Sequence, residues 1–461
     1  MSADAKTRFA VAAVFAGALA AALLPGARAG LGLVLVALAL AGAAALGGRA
    51  PRPLRTAGLG GLALALAAAA AVRDAEWVVA GELAGAVMLG SIAMSAPRHW
   101  RAIAHASVAP LRLVRGARLV GRAASAGLAV APTGRALALG RGLVLTGALL
   151  AIFGALFASG DRAFAQFAGD VLPDAVPLGD LPVRLVVFGL VTSLAGGLVQ
   201  AAGVADERAR RPLLRLGRLE WRLALGALNV LFALFVAVQL AVLFGGDAYV
   251  RDTAGLTYAQ YARSGFAQLV VVAGLTLGVV ASALRWARTE GARDNAILRA
   301  LLATLCVLTL VVLASALHRL GLYEQAYGFT RLRLAVHALL LFGGALFALV
   351  IVALASGRRD WLASATVVLG ALAALAFWVG DPDRRIAAHN VERYEATGRI
   401  DTYYLSKLSA DAVPVLLRLP PPLREQALGR QRARLGGQPD GLAGANRARS
   451  RARAALAADA P

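Results

Sequence analysis

Residues 316–338, ALHRLGLYEQAYGFTRLRLAVHA, set His318, Arg319, Tyr323, Glu324, Tyr327, Arg331 and Arg333 between two long apolar runs. A histidine within reach of a carboxylate is the minimum for general acid–base work. His318 with Glu324 or Asp161, and Tyr323 beside them, would supply it to a transferase or hydrolase. Three other polar segments stand out. SGDRAFAQF carries Asp161, GGDAYVRDTAGLTYAQYARSGFAQL carries Tyr258 and Tyr261, and the stretch after the last apolar run carries Asn390, Tyr394, Asp401, Tyr404 and Asp411.

Within the apolar runs ionisable groups are few. Glu82 is a candidate proton or cation site, and equally a group that snorkels or pairs with a neighbouring helix. Asn229 and Gln239, nearly three turns apart, suit hydrogen bonds across helices, a structural role more often than a ligand site. His337, just inside an apolar run, is open to the same two readings. H-E-x-x-H, G-x-S-x-G, P-loop and G-x-G-x-x-G patterns are absent, so the sequence calls for no cofactor and assigns no catalytic residue. The single cysteine, Cys306, sits in LLATLCVLTLVVLASAL, which excludes a disulfide framework and a cysteine metal site.

Composition decides what must position these residues. Hydrophobic residues are 59% of the 461, charged residues 16%, and mean hydropathy is +0.68. Soluble domains carry about 25% charged residues; this is an all-α polytopic transmembrane helix bundle. Apolar runs near 8–25, 30–48, 57–73, 77–96, 142–160, 184–204, 223–245, 265–285, 299–317, 332–356 and 361–380 give about eleven spans. A net charge of +22 would suggest nucleic acid in a soluble chain. Here the arginines lie between the apolar runs, and no aromatic-rich basic sheet or zinc-knuckle spacing accompanies them, which excludes nucleic acid as a partner. Lys6 and Lys407 are the only lysines, and the excess of arginine, alanine and glycine points to a GC-rich, actinobacterial genome.

Residues 98–141 hold eight arginines and no acid; 204–222, 285–299 and 357–360 are also basic and fall on the same side by parity. The other connections carry Asp161, Asp170, Asp174 and Asp180. The positive-inside rule then places the amino terminus in the cytoplasm and the last 80 residues or so outside the plasma membrane. The start of the chain also resembles a signal peptide, with Ala27-Arg28-Ala29 as its cleavage tripeptide. In the 98–141 connection Arg112, Arg115, Arg118 and Arg122 share one helical face, an anchor for anionic lipid headgroups worth about 1 kcal/mol per arginine.

These readings give an N-terminal four-span bundle (1–97), a cytoplasmic basic amphipathic linker (98–141), a seven-span core (142–380), a small extracytoplasmic C-terminal helical subdomain (381–419) and a disordered tail (420–461). In the subdomain Gly398 fits a helix C-cap, Asp401 an N-cap, and Ser409 or Asp411 a third cap. Arginines 319, 331 and 333 would cost about 2.5–3.5 kcal/mol each at the bilayer centre. The 316–338 stretch is therefore expected to be an outer loop or interfacial turn, packed with the other outer motifs and the C-terminal helices.

GDRAFAQF, LNVLFALFVAVQLAVLFGG, TYAQYARSGFAQL, ALHRLGLYEQAYGFTRLRL and NVERYEATGRIDTYYLSKLSADAVPVL resemble an uncharacterised bacterial membrane family, domain of unknown function 4153, or its relative 4173, over roughly 142–418. That resemblance implies a boundary and no substrate. The function expected is a non-catalytic envelope protein that binds or scaffolds, its partners the lipid bilayer and an envelope protein or lipid. The alternatives are a transporter or lipid handler, and a membrane-embedded transferase or hydrolase with an outward site.

Overall fold

Alanine and leucine favour helix. The computed structural model describes residues 3–47, 53–95, 100–127, 181–201, 216–254, 266–437 and 440–459; among them helix dominates and no strand occurs beyond one isolated bridge, Leu216 to Ala287. Eight described helices are long and apolar enough to cross a membrane. The expected second and third spans form shorter apolar helices, Leu31–Gly47 and Thr56–Val72, and the expected fifth, at 142–160, lies outside the described residues. The chain is thus an all-α bundle of apolar helices.

It divides into two compact units, Met1–Asp206 with Leu435–Ala454, and Glu207–Arg434 with Ala455–Pro461. The chain passes between the units near residues 206, 434 and 454. The first unit contains α1 (Ala3–Leu23), α2 (Leu31–Gly47), α3 (Pro53–Ala67), the short α4 (Ala69–Val72), α5 (Glu76–Ser95), α6 (Trp100–Val108), α7 (Leu113–Gly127) and α8 (Leu181–Ala201). Its core is built largely from small residues: Ala13, Ala16, Ala20, Ala43, Ala195 and Ala201 are fully buried with Phe9. Small side chains let helix backbones approach where lipid gives no hydrophobic drive for association. The linker helix α7 is part of this packing. Gly116 lies against Ser193 and Gly197 of α8, and Val120 and Ala123 join the core. Its arginines, Arg115, Arg118 and Arg122, are exposed, as is Arg112 just before it.

The second unit contains α9 (Arg218–Ala254), α10 (Phe266–Trp286), α11 (Ala292–Tyr327), α12 (Arg331–Ser356) and α13 (Leu362–Val379). Then come α14 (Pro382–Thr397), α15 (Thr402–Leu405), α16 (Val413–Leu416) and α17 (Pro421–Leu435), which ends at the unit boundary. Trp221, Leu302, Cys306, Ala316 and Phe347 lie at the centre of its core. At one end Asp294 accepts from Arg218 Nε at 2.7 Å and Arg222 Nη2 at 2.5 Å, while Trp221 Nε1 donates to the Arg288 carbonyl at 3.0 Å.

α11 corrects the expected outer loop. It runs 36 residues, about 54 Å at 1.5 Å per residue, well beyond a hydrocarbon core of about 30 Å. Leucine, alanine, glutamate and glutamine are good helix formers, so HRLGLYEQAY continues the helix and only Gly328–Thr330 form the turn. The tail after Pro420 is corrected too. It folds into α17 and a last helix, α18 (Arg447–Ala458). A composition poor in large apolar residues signals disorder, yet here Arg424 and Arg432 pair with Asp459, and Arg449 and Arg453 with Asp440.

Candidate functional site

The break after α11 organises the polar end of the second unit. Gly328 adopts φ 77 and ψ 176, a conformation essentially confined to glycine. A Cβ there would stand 2.3 Å from Asn390 Oδ1. Asn390, on α14, uses that closeness: its Oδ1 accepts from Phe329 N at 3.1 Å, and its Nδ2 donates to the Phe329 carbonyl at 3.0 Å and the Ile386 carbonyl at 2.7 Å. Thr330 caps α12 by accepting from Arg333 N at 3.4 Å.

Arg331 then meets Asp383 in the first turn of α14. Its Nε and Nη2 reach the two carboxylate oxygens at 2.9 and 2.5 Å, and Nη2 also donates to the Lys407 carbonyl at 3.2 Å. Asp383 is fully buried and accepts a third bond, from Ser409 N at 2.8 Å. Tyr404 accepts from Arg331 N through its hydroxyl at 2.7 Å. Burial raises the Tyr404 pKa above the ordinary phenol value, partly offset by that bond, so the hydroxyl stays neutral. Asp401 caps α15 through a bond from Tyr404 N at 2.8 Å, and Ser409 donates to Asp411 at 3.0 Å. The Tyr394 carbonyl accepts from Gly398 N at 2.8 Å where α14 ends. Arg393 donates to the carbonyls of Gln325 and Ala326 at 3.1 and 2.7 Å, completing the tie between α14 and the end of α11.

Tyr323 and Tyr327 pack 4.7 Å apart, with Arg333 over the Tyr323 ring at 4.4 Å. Glu324, only 2% exposed, faces His337 at 3.7 Å and leaves Oε1 without a hydrogen-bond partner. His318 is exposed, six residues back on the same helix as Glu324; it is His337 that Glu324 approaches. Arg319 is buried. The residues brought together are therefore Arg331, Asn390, Tyr404, Asp401 and Asp411. Asp383 and Arg393 were not anticipated, although Asp383 in the sequence DPD opens a helix as an acid in the first turn; Ser409, expected as a cap, sits at the start of the 410–412 turn without a capping bond from its side chain.

Asp161, Tyr258 and Tyr261 lie outside the described residues, as does the side chain of Gln239. Asn229 donates to the Leu225 carbonyl on its own helix at 2.8 Å and to the Leu301 carbonyl on α11 at 3.1 Å, bridging two spans. Glu82 is buried in α5, 6% exposed, with Oε2 unpartnered. Among the described residues no group of three or more histidine, cysteine, aspartate or glutamate side chains is arranged to hold a metal.

The first unit has a second polar cluster that sequence reasoning missed. Arg449 of α18, 1% exposed, donates to Asp74 at 2.7 Å, Asp440 at 2.8 Å, the Ala29 carbonyl at 2.9 Å and the Gly444 carbonyl. Asn446 donates to the carbonyls of Ala70 and Arg73 at 2.9 and 2.8 Å, and Leu31 N donates to the Ala445 carbonyl at 3.0 Å. Burial pushes the Asp440 pKa up, but the bonds from Arg449 and Arg453 outweigh it and hold the carboxyl below its ordinary value. Segment 440–454 is thereby fixed to the end of the first unit where α1 joins α2 and α4 joins α5. No signal in the tail's repetitive arginines singles out Arg449.

Neither a curated protein nor a solved structure matches the sequence. The pattern of one family, described as a domain of unknown function, matches residues 60–419. It begins well before the boundary expected near 142, taking in the second half of α3 and all of α5. With most of its length matched, the chain belongs to that family, DUF4153.

Proposed function

We propose that the chain is a non-catalytic membrane protein of the cell envelope that binds or scaffolds a partner through the polar end of its second unit. One observation carries the reading. The side chains of the family-like segments are committed to one another, Arg331 to Asp383, Asn390 to Phe329 and Tyr404 to Arg331, which makes a rigid platform of α14 to α16 rather than an open constellation of reactive groups. Around it Arg384, Arg399 and Tyr403 are exposed. In this reading the platform is extracytoplasmic, the amino terminus is cytoplasmic, and the exposed arginines of α7 meet anionic headgroups of the inner leaflet. The arginine distribution among the connections supports that orientation.

A transport reading is favoured by a separate observation, the buried Glu82 with an unpartnered oxygen, since an ionisable group in a span marks function by default. One experiment separates the two. A deletion strain, scored for envelope integrity and transport defects, is complemented with two variants: Glu82→Gln, and a triple Arg384→Glu, Arg399→Glu, Tyr403→Ala. Scaffolding requires that the triple variant fails and Glu82→Gln succeeds. The reverse pattern overturns it in favour of transport.

A further inference from the structure

At one end of the second unit the guanidinium of Arg299 lies beside Gly357, two residues before Arg359. Arg299 sits two turns into α11, and helical side chains lean toward the N-terminus of their own helix, which carries its charge back toward the turn joining α12 to α13. There it lies against Gly357. That residue has φ 68 and ψ −1 and ends α12 in the left-handed conformation that suits glycine. A Cβ built on it would stand 2.8 Å from Arg299 Nη1, so the missing side chain leaves the room that the guanidinium takes. Arg359, two residues on, is only partly exposed.

Among the described residues no ion pair joins either guanidinium to a carboxylate, and Asp360, next to Arg359, is exposed. Burial, and then the like charge of Arg299, lower the pKa of Arg359, and no carboxylate contributes in the other direction. Asp294, in the first turn of α11, is already held by Arg218 and Arg222. The open carbonyls at the end of α12 supply about half a negative charge, enough to attract one guanidinium and not two. Like charges in partly buried positions repel more strongly than in water. An anion between them would turn that repulsion into attraction.

The donor chemistry selects the anion. Guanidinium groups present forked donors that match phosphate oxygens, and the turn lies between the ends of two candidate spans, Arg331–Ser356 and Leu362–Val379, the level at which phosphate headgroups lie in a bilayer. We propose that Arg299 and Arg359, seated beside Gly357, form a binding site for a phosphate-bearing anion, supplied by an anionic lipid headgroup or by free phosphate.

The test uses the full chain purified in a neutral detergent, with phosphatidylglycerol, phosphatidylcholine and inorganic phosphate added separately. Retained adducts are read by native mass spectrometry and protection by the thermal midpoint. Phosphatidylglycerol retained by the wild type, and about tenfold less by Arg299→Gln or Arg359→Gln, identifies the headgroup as ligand. Protection by inorganic phosphate alone, lost in the same variants, identifies a free anion. Without ligand, Arg359→Gln keeps or raises the midpoint because it removes a repulsion, which separates loss of binding from loss of fold. Equal retention by wild type and the double glutamine variant, or equal retention of phosphatidylcholine and phosphatidylglycerol, overturns the proposal.

Discussion

Arg331 grips Asp383 with two nitrogens, Nε at 2.9 Å and Nη2 at 2.5 Å, and the aspartate is fully buried while the arginine side chain keeps 34% of its surface exposed. The two residues are 52 positions apart, with all of α13 between them, so their pairing fixes α14 against the start of α12. Removing one partner of a buried pair leaves an uncompensated charge and costs about 3–5 kcal/mol. Arg331→Met should lower the thermal midpoint in detergent sharply, and Asp383→Asn less, since the amide keeps an acceptor for Ser409 N. Adding Asp383→Leu to Arg331→Met should recover part of the loss. A double variant no more stable than Arg331→Met would show that the pair does not hold these helices.

Gly328 tests the same junction through the backbone. Its φ of 77 with ψ of 176 costs a non-glycine residue about 1–3 kcal/mol, and a new Cβ would also press on Asn390 Oδ1 at 2.3 Å. Gly328→Ala should therefore destabilise by more than strain alone. Combining it with Asn390→Ala relieves the clash and leaves the strain, so the double variant should fall short of the sum of the single losses. Exact additivity in thermal unfolding would refute the close contact.

Periodicity and hydropathy made the helices and most of the caps legible. Gly398 and Asp401 sit where helix-capping rules put them because those signals are local. What sequence could not give was the pairing. Asp383 looks like any acid in a first turn until Arg331 is brought to it. Arg449 lies among arginines of identical local appearance, and only its burial beside Asp74 and Asp440 distinguishes it. The error over the 316–338 stretch has a related cause. Excluding arginines from lipid says that the chain has left the bilayer, not that it has left the helix, and α11 continues for turns beyond a bilayer's thickness.

Asp440 gives the first unit a pH dependence with a definite sign. Its carboxyl is held below the ordinary value by Arg449 and Arg453, so it contributes stability that is present above about pH 4, the unfolded carboxylate value, and lost as pH falls through the lower folded value. Limited proteolysis from pH 6 downward should release the 440–459 segment only at the acid end. Asp440→Asn should release it more readily at neutral pH and flatten the profile. A tail equally resistant in wild type and variant would remove Asp440 from the clamp.

The threading is testable with the chain's own cysteine left in place. Cys306 is fully buried, so a membrane-impermeant thiol reagent should leave the wild type unlabelled and report only on introduced cysteines. Leu442 is 70% exposed and belongs to the segment tied to the Ala29 and Asp74 end of the first unit. Arg118 of α7 and Arg358 beside the proposed anion site are both exposed. The arginine asymmetry puts position 442 outside and positions 118 and 358 in the cytoplasm. Leu442→Cys should therefore label on intact cells, and Arg118→Cys and Arg358→Cys only after permeabilisation. Labelling of 118 with protection of 442 on intact cells would invert the orientation, and with it the assignment of the α14–α16 platform to the envelope side. Labelling of 118 and 358 from opposite sides would instead break the parity argument itself, because both positions owe their assignment to the same count of spans.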